Sequence, residues 1–213
     1  MRVSKENAAK NRDAILDAAS RLFREKGIDG TGVAEIAKEA GLTHGALYAH
    51  FPSKDALAAE AFSHGFAGNM ALIREWAGDR ALSFEEFLES MFSPQQRDNL
   101  VTGCPMTASA SEIARQGETV AASFASAFKE MVALLEKSQN HEVPPSQKRH
   151  FAVSALAGQI GAIAVARAVA RVNPSLSNEV LRSVCKTVST EFMAKSKGTP
   201  KADRPAKARR TRS

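Results

Sequence analysis

The sequence predicts an all-α protein, with a small helix-turn-helix unit at the N-terminus and a larger helical domain after it. Three observations predict it. Apolar residues recur at helical spacing along most of the chain, and no stretch alternates as a strand would. The segment "AEIAKEAGLTHGALYAHFPSKDAL", Ala34 to Leu57, sets two short helical patterns on either side of Gly41. From Asn11 to Lys26, Ile15, Ala18, Ala19, Leu22 and Phe23 make one buried face, and Gly27 stops the helix. Thr31 is the expected N-cap of a second helix running through Ala40, and Thr43 that of a third beginning after Gly41. Ser53 caps a fourth, from Lys54 towards Trp76, and Ser83 a fifth with Phe84, Phe87, Leu88 and Met91 on one side. "SPQQRDNLVTGCP" reads as a loop. Four more helices are expected over Met106–Ala114, Thr119–Lys137, Ser146–Arg171 and Ser177–Lys195, separated in part by the proline-marked breaks "NHEVPPS" and "VNPS".

Composition narrows the classes. The chain has 213 residues, enough for one large domain or two modest ones, and its 44% hydrophobic and 24% charged residues are those of an ordinary globular protein. No 18-residue apolar run is free of charge, so no membrane span is expected, and the hydrophilic start "MRVSKENAAKNRD" lacks the apolar stretch of a secretory signal. Cys104 and Cys185 make no disulfide framework, which points to a reduced, cytoplasmic protein. The net charge of +6 is localised. Residues 195–213 hold 8 Lys and Arg against 1 Asp, leaving the rest of the chain at −1. That tail is almost devoid of apolar residues and is expected to be disordered, serving either as a solubilising tail or as a basic arm on DNA phosphates.

The third helix is small and bare. Leu47 and Phe51 lie four apart on one side, and the opposite side offers Gly45, Ala46 and Ala49, flanked by His44 and Tyr48. A helix entering a major groove needs such a slim face: glycine permits close approach, alanine packs on a thymine methyl, and Tyr48 and His50 can donate to phosphates. His44 and His50 are six apart, about 120° around a helix, and no acid or cysteine converges on them locally, so a metal pair is not expected.

"IAKEAGLTHGALYAHFPSKDAL" resembles the DNA-binding signature of the TetR (tetracycline repressor) family, and the resemblance covers about Asn11 to Phe62. It implies a helix-turn-helix DNA-binding domain over residues 1–52, a helical effector-binding and dimerisation domain over 53–194, and the basic tail beyond. Carried over position by position, His44, Gly45, Ala46 and Tyr48 match groove-facing sites, His50 and Lys54 phosphate contacts, and Thr31 a cap that touches the DNA backbone; Thr43 belongs to the same set. A larger polar side chain often stands near Ala46 in the family, so direct readout is expected to be thin here and shape readout larger. The implied partners are a double-stranded DNA operator, a second copy of the chain and a small-molecule effector.

In the larger region, "FAVSALAGQIGAIAVARAVARV", Phe151 to Val172, is rich in small residues, and Leu181, Val184, Cys185, Val188 and Phe192 form a stripe on the last helix. The two helices either build a four-helix dimer interface with a second copy or fill the core of one chain. An effector cavity is expected among Phe62, Phe66, Met70, Met91, Cys104, Phe124 and Phe128, which also fit a plain core, and it suits an apolar or aromatic ligand. Cys104, between Gly103 and Pro105 at a helix start, reads either as a low-pKa thiol sensing electrophiles or as pocket wall. No Ser-His-Asp order, phosphate loop, metal cluster or cofactor motif is present in the sequence. The function expected is that of a repressor released from its operator by a small apolar or aromatic effector. The alternatives are an architectural DNA-binding protein without effector control, or a cysteine-based electrophile sensor on the same fold.

Overall fold

The structure is a computed structural model that describes residues 5–141 and 143–196. Among these residues the elements are ten helices: α1 (Lys5–Lys26), α2 (Val33–Glu39), α3 (His44–Tyr48), α4 (Lys54–Ala77), α5 (Phe84–Met91), α6 (Pro94–Asp98), α7 (Pro105–Ile113), α8 (Glu118–Ser138), α9 (Pro145–Ala170) and α10 (Pro174–Ser196). The basic tail beyond Ser196 lies outside the described residues.

Helix starts follow their caps. Ser53 Oγ accepts from Ala56 N at 3.1 Å, and Ser83 forms a capping box with Glu86. The backbone N–H of Ser83 and the Arg80 guanidinium hold the Glu86 carboxyl below the usual carboxylate range. Three differences from the sequence reading have local causes. Thr31 caps nothing: Gly32 is the N-cap of α2, and the Thr31 hydroxyl is buried, donating to Gly27 O at 2.7 Å and Leu22 O at 3.3 Å. The expected 93–105 loop contains α6, started by Ser93 Oγ accepting from Gln96 N with Pro94 at the first helical position. The last helix begins at Pro174 because Asn173 Oδ1 accepts from Leu176 N, while Ser177 lies inside it, buried, with its hydroxyl on Ala166 O.

Two apolar cores organise the chain. The first gathers Ile15, Leu22, Ile36, Leu47 and Phe51 from α1–α3 and their flanks, with Leu57, Ala58, Ala59 and Ala61 from α4 and Ile113 and Val120 from α7 and α8. It thus crosses the boundary expected at 52/53. The second runs from Phe62 and Phe66 through α5, α8 and α9 to Leu181, Val188 and Phe192. α4 is common to both, a single helix whose first turns pack one core and whose later turns pack the other.

Most of the stripe on α10 packs this core: Leu181, Val188 and Phe192 are buried in it, and Val184 and Cys185 are partly buried against it. Phe192 packs on Phe84 with ring centroids 4.6 Å apart and edge-on to Phe151 at 5.4 Å. A Cβ at Gly158 would lie 3.1 Å from Val184 Cγ1, so glycine there lets α10 close on α9, whereas an added Cβ at Gly161 meets nothing within 4 Å. α9 is long and apolar enough to cross a membrane by length and composition. Here it packs on α8 and α10, and two of its polar side chains are bonded inside the chain. Gln159 Nε2 donates to Met91 O, and the Arg167 guanidinium donates to Gln96 O, Arg97 O and Asn99 O, where α6 ends.

Candidate functional site

α3 is only five residues long, and local chemistry makes it. Gly41, at φ +70°, turns the chain, and Leu42 N closes the turn on Ala37 O at 2.8 Å. Thr43, in extended conformation, then accepts from Ala46 N at 3.2 Å. Leu47 and Phe51 anchor the helix in the first core, and the Arg12 guanidinium lies 4.8 Å over the Phe51 ring. Their burial turns the opposite face outward. Thr43, His44, Gly45 and Ala49 are exposed, and Ala46 is half-buried. Tyr48 is 45% exposed, its ring edge-on to His44 at 5.1 Å. His50 and Lys54 sit half-buried where α3 passes into α4. Seven of the eight residues singled out for DNA therefore share one region at the surface. Thr31 does not: it is 1% exposed, its hydroxyl spent on the carbonyls that end α1. It stabilises the turn that carries α2 and offers no side chain to a phosphate.

The large domain holds a cleft of about 210 Å³ between α4, α5, the α6–α7 segment, α8 and α9. Its apolar wall is Ile73, Trp76, Phe87, Met91 and Met131, with Trp76 and Phe87 meeting edge to face at 6.1 Å. Of the expected lining residues, Met91 and Cys104 are here. Phe66 and Met70 face a neighbouring hollow against α8, with Ser123 and Glu130. Phe62, Phe124 and Phe128 line neither this cleft nor that hollow. They stack in sequence at 5.7 and 6.3 Å, and Phe124 packs against both cores. Phe124 of α8 thus joins the two cores. Sequence reading missed the polar side of the cleft, formed by Asn69, Ser90, Gln96, Asn99, Thr102 and Gln159. These come from α4, α5, the α6–α7 segment and α9, so no local pattern could have gathered them.

Cys104 is the N-cap of α7, with Pro105 at the first helical position. Of the two readings of this thiol, the low-pKa one does not follow. The side chain is 4% exposed, and burial pushes its thiol up. The N–H groups of Met106 and Thr107 and the cations Arg167 and Arg24 oppose the rise without cancelling it. The helix N-terminus is present, but removing the thiolate from water outweighs it, so Cys104 holds its proton as part of the cleft wall. Cys185 is also pushed up by burial, its Sγ lying 3.9 Å from Leu88 O.

The large domain also holds the turn that precedes α2. Glu112 of α7 accepts from Ile28 N at 3.0 Å, and Gln116 donates to Asp29 at 3.0 Å, so the start of the α1–α2 connection is held by the large domain.

The chain was compared with known proteins. The family model described as "Bacterial regulatory proteins, tetR family" matches residues 15–61, and that described as "Transcriptional regulator LmrA/YxaF-like, C-terminal domain" matches residues 81–184. The HTH-type transcriptional regulator LmrA of Bacillus subtilis (strain 168) is 32% identical over 131 residues, 60% of this chain and 70% of that protein. The HTH-type transcriptional regulator AcrR of Shigella flexneri is 48% identical over 59 residues, which is 28% of this chain and only 27% of AcrR. Among solved structures, a TetR transcriptional regulator from Chloroflexus aurantiacus J-10-FL superposes with a TM-score of 0.69 at 21% identity, over 88% of this chain and 96% of that one, a likeness of fold. With its two halves matched in order and LmrA matched over most of its length, the chain belongs to the tetR family of bacterial regulatory proteins, DNA-binding transcriptional regulators and not enzymes.

Proposed function

We propose that this chain is a ligand-responsive repressor that acts as a homodimer on a palindromic operator in the cytoplasm. The observation that carries the reading is α3 itself: a short helix pinned from behind by Leu47 and Phe51, with a slim, exposed outer face. Gly45 and Ala46 approach base edges in the major groove. Tyr48, His44, Thr43, His50 and Lys54 contact phosphates or base edges around them. Alanine at position 46 supplies no hydrogen bond, so part of the specificity comes from DNA shape.

The dimer uses the outer face of α9. Ala157, Gly161, Ala164, Val165 and Ala168 are exposed along one side, continued by Val172 and Leu176, and small side chains there permit close helix approach. The effector occupies the cleft lined by Trp76, Phe87 and Met91. Its occupation shifts α4 and α7, which both touch the first core and its connections, and so changes the spacing of the two α3 helices. Such a ligand acts only by binding the non-operator conformation better.

Selection from random double-stranded DNA tests the reading. An inverted repeat with two equivalent half-sites is expected, and enrichment of no inverted repeat defeats it. Effector control has its own test by reciprocity: operator DNA weakens ligand binding by the same factor as ligand weakens DNA binding, whereas equal ligand affinity with and without operator defeats that part alone.

A further inference from the structure

A second cleft, of about 290 Å³, lies between α1 and α4 and reaches the turn before α7; Ser20, Arg24, His64, Asn69 and Thr102 are among its lining residues. Arg24 is its unusual member. Its side chain crosses the face of α4 at Gly65, where a Cβ would lie 2.6 Å from Arg24 Nη1 and 2.3 Å from Ser20 Oγ. The absence of a side chain at Gly65 is what admits the guanidinium. Arg24 Nε is buried and has no hydrogen-bond partner. The acids nearby are engaged elsewhere: Asp17 lies 2.7 Å from His64 Nε2, Glu39 is paired with Arg21, and Glu25 lies 3.6 Å from Arg21. Among the described residues Arg24 makes no ion pair, although desolvation of a cation is costly unless an anion compensates it.

We propose that Arg24 is the docking point for the carboxylate of a small organic acid, which is the effector of this protein. A guanidinium presents a planar fork of donors that fits a carboxylate in two parallel hydrogen bonds. One uncommitted cation with Asp17 close by favours a singly charged carboxylate over a phosphate dianion. Asn69 adds a polar contact to the acid, while the Thr102 hydroxyl is held by Asn99; both residues also line the cleft holding Trp76 and Phe87, so the two spaces adjoin. The apolar part of the acid extends there. The site sits where regulation needs it: Arg24 is on α1, Asn69 on α4 and Thr102 on the connection to α7. A ligand spanning all three ties the helix behind α2 and α3 to the large domain. The assignment of effector class rests on the regulator reading, but binding of an acid at Arg24 does not.

Calorimetry on the full chain without DNA, using phenylacetate and its neutral isostere phenylacetamide, separates the two. The acid is expected to bind at least about tenfold more tightly than the amide, as a charge-assisted pair requires. In Arg24→Gln that preference falls below about twofold, and Arg24→Lys keeps part of it as a point charge without the fork. Thermal melts check that both variants fold. The arginine Nε–H resonance of the unaltered chain gives a readout needing no variant, since that of Arg24 must shift on adding phenylacetate. Equal affinity for acid and amide, an acid preference unchanged in Arg24→Gln, or no binding of phenylacetate up to about 10 mM, the weak end of specific recognition, overturns the site. Tighter binding of phenyl phosphate than of phenylacetate overturns the carboxylate assignment. Failure to find an operator leaves this result untouched, and failure of phenylacetate to bind leaves the operator result untouched.

Discussion

The α3 unit and the large-domain cleft are built by opposite means. In α3, the residues that shape the surface fall within eleven positions: the Gly41 turn, the Thr43 cap, and the Leu47 and Phe51 anchors. The cleft takes its wall from five helices and a turn, and its polar side joins Asn69 to Gln159, 90 positions apart in the chain. The family models divide in the same place, one matching residues 15–61 and the other residues 81–184. The lesson is that the α3 unit is set by local interactions, while the shape of the cleft is a property of tertiary packing.

Four measurements break or sharpen this contrast, the largest expected effect first. Phe51 is fully buried, and Phe51→Ala should cost about 3–5 kcal/mol in urea denaturation and abolish operator binding. A loss under about 1 kcal/mol would mean that α3 is held by something other than its anchors. Next come the two glycines of α9. Gly158→Leu drives a side chain into Val184 and Phe92 and should destabilise the fold by about 1–3 kcal/mol. Gly161→Leu faces open space within the chain. It should leave the fold of one chain intact but weaken the proposed dimer, read by sedimentation at falling concentration; unchanged dimerisation would place the interface elsewhere.

Smaller still is the hydroxyl of Tyr48. Tyr48→Phe should weaken binding to all DNA sequences by about 1 kcal/mol, one hydrogen bond, in fluorescence anisotropy titrations. Ala46→Gln should instead change which operator is preferred. If the tyrosine change altered preference while the alanine change did not, the assignment of groove-facing and phosphate-facing positions would be reversed.

The last effect, absent at neutral pH, concerns the buried thiols. Cys104 and Cys185 are both raised by burial, so each keeps its proton in the folded chain at a pH where the unfolded chain has lost it. Below about pH 8.5, the value of an exposed thiol, neither form is ionised and these groups contribute no slope. As pH rises past that value towards the folded one, stability falls, by at most about 1.4 kcal/mol per pH unit for each thiol. Urea melts at stepped pH should show this fall, reduced in Cys104→Ala. Rapid alkylation of Cys104 at neutral pH would instead restore the electrophile-sensor reading.

The sequence by itself determined the all-α class, the helix-turn-helix and its bare outer face. Those depend on caps, a glycine turn and side-chain periodicity, all interactions between residues a few positions apart. It missed α6, because "SPQQRD" carries a serine cap and a proline start but no apolar face to announce a helix. It misplaced Thr31, because a threonine before a helix has the same local appearance whether it caps forward or bonds back to the previous helix's carbonyls. Only the tertiary structure decided that most of the α10 stripe turns inward, that Phe124 of α8 bridges two cores, and that Cys104 is buried enough to keep its proton. It alone brought Arg24 of α1 against Gly65 of α4, 41 positions apart in the chain. Desolvation and close packing depend on what lies across the fold, and that information is spread over the whole chain at once.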